Sequence, residues 1–310
     1  MNKLRVTDHQ CTNVLTYKRS NMLTSLKNHA VLLLSCPDKK GIVASVANFI
    51  FKNNGNIVHA EQYTDTEKDM FFMRIEWQLE DFKIPRAEIP NAFAPIAKQF
   101  NMKWTLHFMD YIPNMAIFVS KSDHCLYEIL LRYKAGELPA KIPLIISNHP
   151  DLRQVAENFG IKYYVFPITP ENKHFVEQQE LKLLKQYNIK LIVLARYMQI
   201  LTPQFVAHYP NRIINIHHSF LPAFSGPRPY HQARERGVKL IGATSHYVTA
   251  ELDAGPIIEQ DVIRVSHRDS LQDLKQKGRD IEKLVLVRAI KLHLEKRILV
   301  YENRTIVFDT

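Results

Sequence analysis

An amide and an imidazole two positions apart, Asn215 and His217, close the apolar run Ile213-Ile-Asn-Ile-His-His-Ser-Phe-Leu-Pro222. Side chains at i and i+2 of a strand point to the same side, so both would face one crevice. An amide N–H and a protonated imidazole are the donors a carbonyl oxygen needs as it gains negative charge. Splitting an amide also requires that the nucleophile lose a proton and the leaving nitrogen gain one. A carboxylate follows downstream, Asp253 in His246-Tyr-Val-Thr-Ala-Glu-Leu-Asp-Ala-Gly-Pro-Ile-Ile258. A carboxylate beside an imidazole favours its charged form and can orient it or a water. Taken singly, each has a plainer reading: Asn-x-His as structure, and Asp before Ala-Gly-Pro as a turn.

Elements must bring these residues together. Ligands of open parallel sheets bind beyond the carboxyl ends of the strands. Short continuous apolar runs separated by helical patterns imply such a sheet, buried on both faces. They fall at 116–120, 144–147, 163–166, 191–195 and 213–216, and runs 242–249 and 256–262 extend the sheet. A long helix carries Ile281, Leu284, Val285, Ala289 and Leu292 on one side, and the tail 298–308 reads as a hairpin turning at Glu302-Asn303.

Residues before Tyr111 follow another pattern. Strand 30–36, a helix with Val43, Val46, Ala47 and Ile50 on one face, strands 57–64 and 70–78, a helix at 89–100 and a strand at 102–108 give βαββαβ, a ferredoxin-like unit. The expected organisation is a tail at 1–28, disordered or a misplaced start, a first domain at 29–110, and a second at 114–310.

Taken together, Asn215-Ile-His217, Ser219-Phe-Leu-Pro222 and Leu252-Asp253-Ala-Gly255-Pro256 resemble the signature of folate-dependent formyl-transfer enzymes. The resemblance implies that Asn215, His217 and Asp253 are the catalytic set. It also implies that Leu194-Ala-Arg-Tyr-Met-Gln-Ile-Leu201 binds the pterin ring through backbone groups around Met198, with the loop from Thr249 as the opposite wall. Arg196, Met198, Ile200, His218, Ser219 and Thr249 are the substrate-binding candidates on this reading. Within the family the chain looks like the deformylase branch, hydrolases that split 10-formyltetrahydrofolate into formate and tetrahydrofolate. His218 stands where transformylases usually have Pro. The first strand-to-helix turn, Val119-Ser-Lys-Ser-Asp-His-Cys-Leu126, has no glycine-rich phosphate cradle. The loop after Pro222 resembles the deformylase loop, apart from Pro227 where the family more often has Ala. The first domain resembles an ACT domain through Asp38-Lys-Lys-Gly41 and Asn54-Gly-Asn56. That likeness implies an amino-acid effector, glycine or methionine, held near Asp38, Gly41 and Asn56, and a homo-oligomer.

Composition excludes several classes. The net charge is +10, but the basic residues are spread along the chain, which speaks for solvated helix faces over a nucleic-acid surface. No apolar run approaches the ~20 residues of a membrane span. Three scattered cysteines suggest neither a disulfide framework nor a zinc site, so a reducing compartment, the cytoplasm, is expected. Residues 1–28 hold five basic residues and one acid, a weak likeness to a transit peptide; a true start at Met22 is the other reading. Folate is expected as substrate, with no tightly bound cofactor and no metal. The rivals are formyl transfer to an amine, and an amino-acid sensor with a degenerate folate domain.

Overall fold

The apolar run at 30–36 becomes a strand buried along nearly its whole length, β1 (His29–Pro37). It leads into α1 (Ile42–Lys52), β2 (Asn56–Asp65), β3 (Met70–Gln78), α2 (Ile89–Gln99) and β4 (Lys103–Phe108). The sheet order is β2-β3-β1-β4, antiparallel throughout, the ferredoxin-like arrangement expected. The buried stripe of α1 is Ile42, Val46 and Ile50, whereas Val43 is exposed. Both 42 and 43 are apolar, and only the point of helix entry decides which turns inward.

The computed structural model describes residues 28–222 and 229–308. Residues 1–27 of the expected tail 1–28, and Pro227 with most of its loop, 223–228, lie outside the described residues. The described chain divides into two units, 28–112 with Glu295–Leu299 and 306–308, and Pro113–Leu294 with Val300–Thr305. The sequence had suggested that all of 114–310 forms one domain. The difference lies at buried Arg74 of β3, whose Nε donates to the Lys296 carbonyl at 2.9 Å and whose Nη2 donates to that of Glu295 at 3.3 Å. A buried guanidinium needs acceptors, and this C-terminal segment supplies them.

The second unit runs β5 (Asn114–Val119), α3 (His124–Lys134), β6 (Lys141–Ser147), α4 (Arg153–Asn158), β7 (Lys162–Val165), α5 (Lys173–Gln186), β8 (Ile189–Leu194), α6 (Pro203–Ala207) and β9 (Ile213–His217). Then come α7 (Pro229–Glu235), β10 (Leu240–Tyr247), β11 (Ile257–Arg264) and the long α8 (Leu271–Leu294), before a hairpin of β12 (Ile298–Tyr301) and β13 (Arg304–Val307). Seven strands form a sheet in the order β11-β10-β9-β8-β5-β6-β7. The pairs from β9 to β7 are parallel, and β10 and β11 add antiparallel pairs at one edge. The central strands β5 and β8 are almost wholly buried, which is why their sequences read as unbroken apolar runs. The chain reverses direction of growth between β5 and β8, and the carboxyl ends there open a crevice.

Candidate active site

Beta-sheet register brings the expected catalytic residues together. Asn215 and His217 lie on β9, and Asn215 pairs across the sheet with His246 of β10. After β10 the chain turns back through 248–256, carrying Asp253 in a left-handed conformation, φ 53°. Gly255 makes that return possible. A Cβ there would lie 1.8 Å from the Tyr247 carbonyl oxygen, so only glycine lets the loop close on the strand end.

Asp253 Oδ2 is 3.2 Å from His217 Nδ1, and Oδ1 is 3.5 Å from His246 Nε2. Hydrogen bonds from His217 and then His246 hold the Asp253 carboxyl well below the usual carboxylate range, against the opposing effect of burial. It stays ionised and is a poor proton acceptor. His217 Nδ1 therefore carries hydrogen towards Asp253. Its other nitrogen, Nε2, is buried and has no hydrogen-bond partner among the described residues. His246 Nδ1 faces the Tyr247 carbonyl at 2.9 Å and must be its protonated nitrogen. Its Nε2 lies between Asp253 Oδ1 at 3.5 Å and Asn215 Nδ2 at 3.2 Å, which ties the amide to the same group; the amide nitrogen carries two hydrogens, so one N–H stays available. His246 was missed by sequence reasoning because its role rests on cross-strand register, which the letters do not carry.

These groups line a cavity of about 390 Å³. Its walls include Arg196, Met198, Ile200, His218 and Thr249, five of the six substrate-binding candidates. Ser219 is not among them: it is buried, and its carbonyl accepts from Thr244 Oγ1 at 2.9 Å. It lies beyond the end of β9, where the i, i+2 alternation that aligns Asn215 with His217 no longer holds. Met198 and Ile200 present large exposed apolar side chains, as a ring-binding wall would. The backbone N–H of Met198 is already committed, donating to Ser120 Oγ at 2.9 Å, which in turn donates to Asn148 Oδ1 at 2.7 Å. Ring recognition at this point therefore falls to other backbone groups.

Beneath the cavity lies a polar cluster that the sequence did not announce. Glu282, on α8 and 2% exposed, accepts from Tyr230 Oη at 2.9 Å, meets His124 Nε2 at 2.8 Å and lies 3.5 Å from Arg196 Nε. Burial raises its carboxyl, but His124 and Arg196 outweigh that and the net shift is downward. Gly278, one turn earlier on α8, makes room for Tyr230: a Cβ there would fall 1.9 Å from the phenol oxygen. Arg196 itself is left-handed, φ 62°, directly after β8. A charged residue on the apolar face of a long helix was the available signal for Glu282.

The three expected effector residues do not converge. Asp38 follows β1, with its N–H bonded to the Asp69 carbonyl at 2.9 Å, and Gly41 caps α1 with φ 94°. Asn56 opens β2, where its Nδ2 donates to Gln78 Oε1 at 2.9 Å. Register pairs Asn56 with Gln78 and Gln78 with His29, the start of β1, whereas Asp38 follows the far end. At a rise of about 3.3 Å per residue, the strand length separates them by roughly 25 Å. The likeness to an ACT domain implies that Asn56 lies near the Asp38–Gly41 turn, and the register places it at the other end of the sheet.

Comparison with known proteins agrees with this architecture. Residues 113–290 match the family model described as formyl transferase, and 30–77 match the ACT domain. The formyltetrahydrofolate deformylase of Synechocystis sp. is 60% identical over 279 residues, covering 90% of this chain and 98% of that protein. That of Bacillus subtilis is 52% identical, with 90% and 93% covered. A crystal structure of a formyltetrahydrofolate deformylase from Pseudomonas syringae pv. tomato superposes with a TM-score of 0.89 at 45% identity, covering 95% of this chain and 99% of that one. Glycinamide ribonucleotide transformylase 1 from Symbiobacterium toebii matches 64% of this chain and 95% of its own, with a TM-score of 0.60 at 30% identity. The likeness to the transformylase covers only part of the chain, while the likeness to the deformylases takes in nearly all of it, and the chain belongs to the formyltetrahydrofolate deformylase family.

Proposed function

We propose that the chain hydrolyses 10-formyltetrahydrofolate to formate and tetrahydrofolate. One observation supports this reading above the others: a buried imidazole nitrogen, His217 Nε2, is left unpartnered beside a cavity while its other nitrogen is held by Asp253. An amide oxygen placed there would meet two donors, His217 Nε2–H and the free Asn215 N–H. Both act most strongly when that oxygen carries charge in the tetrahedral intermediate. Asp253 orients His217 through its contact with Nδ1. The exposed Met198 and Ile200 and the polar Arg196 and Thr249 give the cavity one apolar and one polar side, suited to a pterin. Folate is the substrate on this reading.

The ACT-like domain is the regulatory part on this reading, with glycine or methionine as effector and a homo-oligomer as the assembly. Formate so released would feed purine synthesis and balance the folate pools. A cytoplasmic location fits free, buried Cys36 and Cys125, and no described helix is long and apolar enough to cross a membrane. Incubating the purified protein with 10-formyltetrahydrofolate and no amine should release formate. Formate-free turnover that starts only when an amine is added would assign a transferase instead.

A further inference from the structure

The hydrolytic reading leaves one task unassigned, because the attacking water must lose a proton. Asp253 is poorly suited to take it, since both its oxygens face imidazoles and its carboxyl is held low. Asn215 has no basic atom. His217 is occupied as donor to the oxygen. We propose that His218 receives the proton of the attacking water and returns it to the leaving nitrogen. This inference rests on the hydrolase reading of the same site.

The geometry favours His218 in three ways. Its half-buried ring lies on the cavity wall beside His217, with ring centroids 5.2 Å apart and planes tilted by 34°. Its described contacts are with rings and nearby charges, and no described residue is its hydrogen-bond partner, so its nitrogens remain free for a water. It is also held in place from behind. Tyr230 lies 6.0 Å away centroid to centroid, anchored by its hydrogen bond to Glu282 and by the space that Gly278 leaves. Burial, then the Arg196 charge, lowers its pKa to about 4, against a small opposing effect of Glu282. The ring is therefore neutral at physiological pH and its lone pair is available.

The step balances without any further reactant. One O–H bond of water breaks and its proton passes to a His218 nitrogen. The water oxygen bonds to the formyl carbon, and the carbonyl pair moves to the formyl oxygen, held by Asn215 and His217. The C–N bond then breaks with its electron pair staying on nitrogen, which takes the proton from His218. Formic acid leaves and loses its remaining proton to solvent. His218 ends as it began.

The test uses full-length His218→Gln and His218→Ala. Formate release and the binding of tetrahydrofolate are measured in both, with wild type alongside. The expected result is a kcat lower by about 10²–10⁴-fold, the usual contribution of a proton-transfer group. Tetrahydrofolate affinity should stay within roughly threefold, and added imidazole should restore part of the activity of His218→Ala alone. Both variants turning over within tenfold of wild type would overturn the role. So would a loss of tetrahydrofolate affinity equal to the loss of kcat, which would make His218 a binding residue. Wild type that binds folate but releases no formate would sink the hydrolase reading itself, and this inference with it.

Discussion

Two turns of the molecule carry the residues singled out from the sequence, and folding treats them in opposite ways. At β9–β10 the polar groups are drawn inward, and some are left with unused hydrogen-bonding capacity. His217 is 7% exposed, its Nε2 has no described partner, and a cavity lies against it. At β1–α1 the residues remain at the surface and their groups serve local structure. Asp38 N–H closes a turn on Asp69, and nothing lies within 4 Å of a Cβ built on Gly41. Leaving a buried polar atom unpaired costs about 1–3 kcal/mol. A fold retains that cost where a ligand or water can complete the bond, and an exposed turn gives no comparable sign. The difference separates the two candidate sites: at one the residues converge on a cavity, and at the other an effector has to be sought by a binding measurement.

The contrast breaks most sharply at His217. Replacing it by Ala removes the donor that meets the developing oxyanion and the group that Asp253 orients. We expect kcat to fall by about 10²–10³-fold, the usual loss when one oxyanion donor is removed. Folate affinity should change far less, since the interaction strengthens only in the transition state. Steady-state kinetics with tetrahydrofolate binding in parallel would decide. A kcat within tenfold of wild type would place His217 among merely structural buried histidines.

Much of this was legible in the letters. The run Ile213–Ile216 reads as a buried strand, and the i, i+2 spacing puts Asn215 and His217 on one side, as found. Asp253 before Ala-Gly-Pro reads as a turn between strands, and Gly255 supplies its steric reason. What the letters hid was every relation set by strand pairing. His246 faces Asn215, and Asn56 stands at the wrong end of the sheet for Asp38, only because of register. Glu282 was hidden for another reason. Partners that satisfy a buried charge come from α3, α7 and the β8 exit, far apart in sequence.

A second break concerns Glu180 on α5, fully buried next to the Arg196–Leu201 wall. Its Oε2 has no described partner, and its Oε1 accepts from Tyr197 Oη at 3.4 Å. Burial, then the charge of Glu177, raises its pKa to about 8. The folded state thus binds the proton more tightly than the unfolded chain. The associated stability is complete below about pH 4.5 and is lost as pH rises to about 8. We expect Glu180→Gln to gain on the order of 3 kcal/mol over wild type at pH 8 and to flatten the decline between pH 5 and pH 8. Thermal melts of both proteins at four or five pH values would show it. Parallel curves would mean that Glu180 is ionised and solvated in the folded protein.

The smallest expected effects lie at the exposed turn, and there they discriminate best. If an amino acid binds at the β1–α1 turn, its carboxylate would lie at the start of α1, where free N–H groups favour an anion. Asp38→Ala should then weaken glycine or methionine binding to the full-length protein. Asn56→Ala should leave it unchanged, because register puts Asn56 at the opposite end of the sheet. Gly41→Ala should cost about 1 kcal/mol of stability from its φ of 94° alone, since the space around it is open. Calorimetric titration of the three variants, with formate release followed in the same samples, separates these cases. Loss of binding in Asn56→Ala with retention in Asp38→Ala would move the effector site to the other end of the sheet. If neither amino acid binds wild type or alters its activity, and the protein runs as a monomer, the ACT-like domain has no such regulatory role here. The catalytic assignment would stand apart from that result, because Asn215, His217 and Asp253 all belong to the other unit.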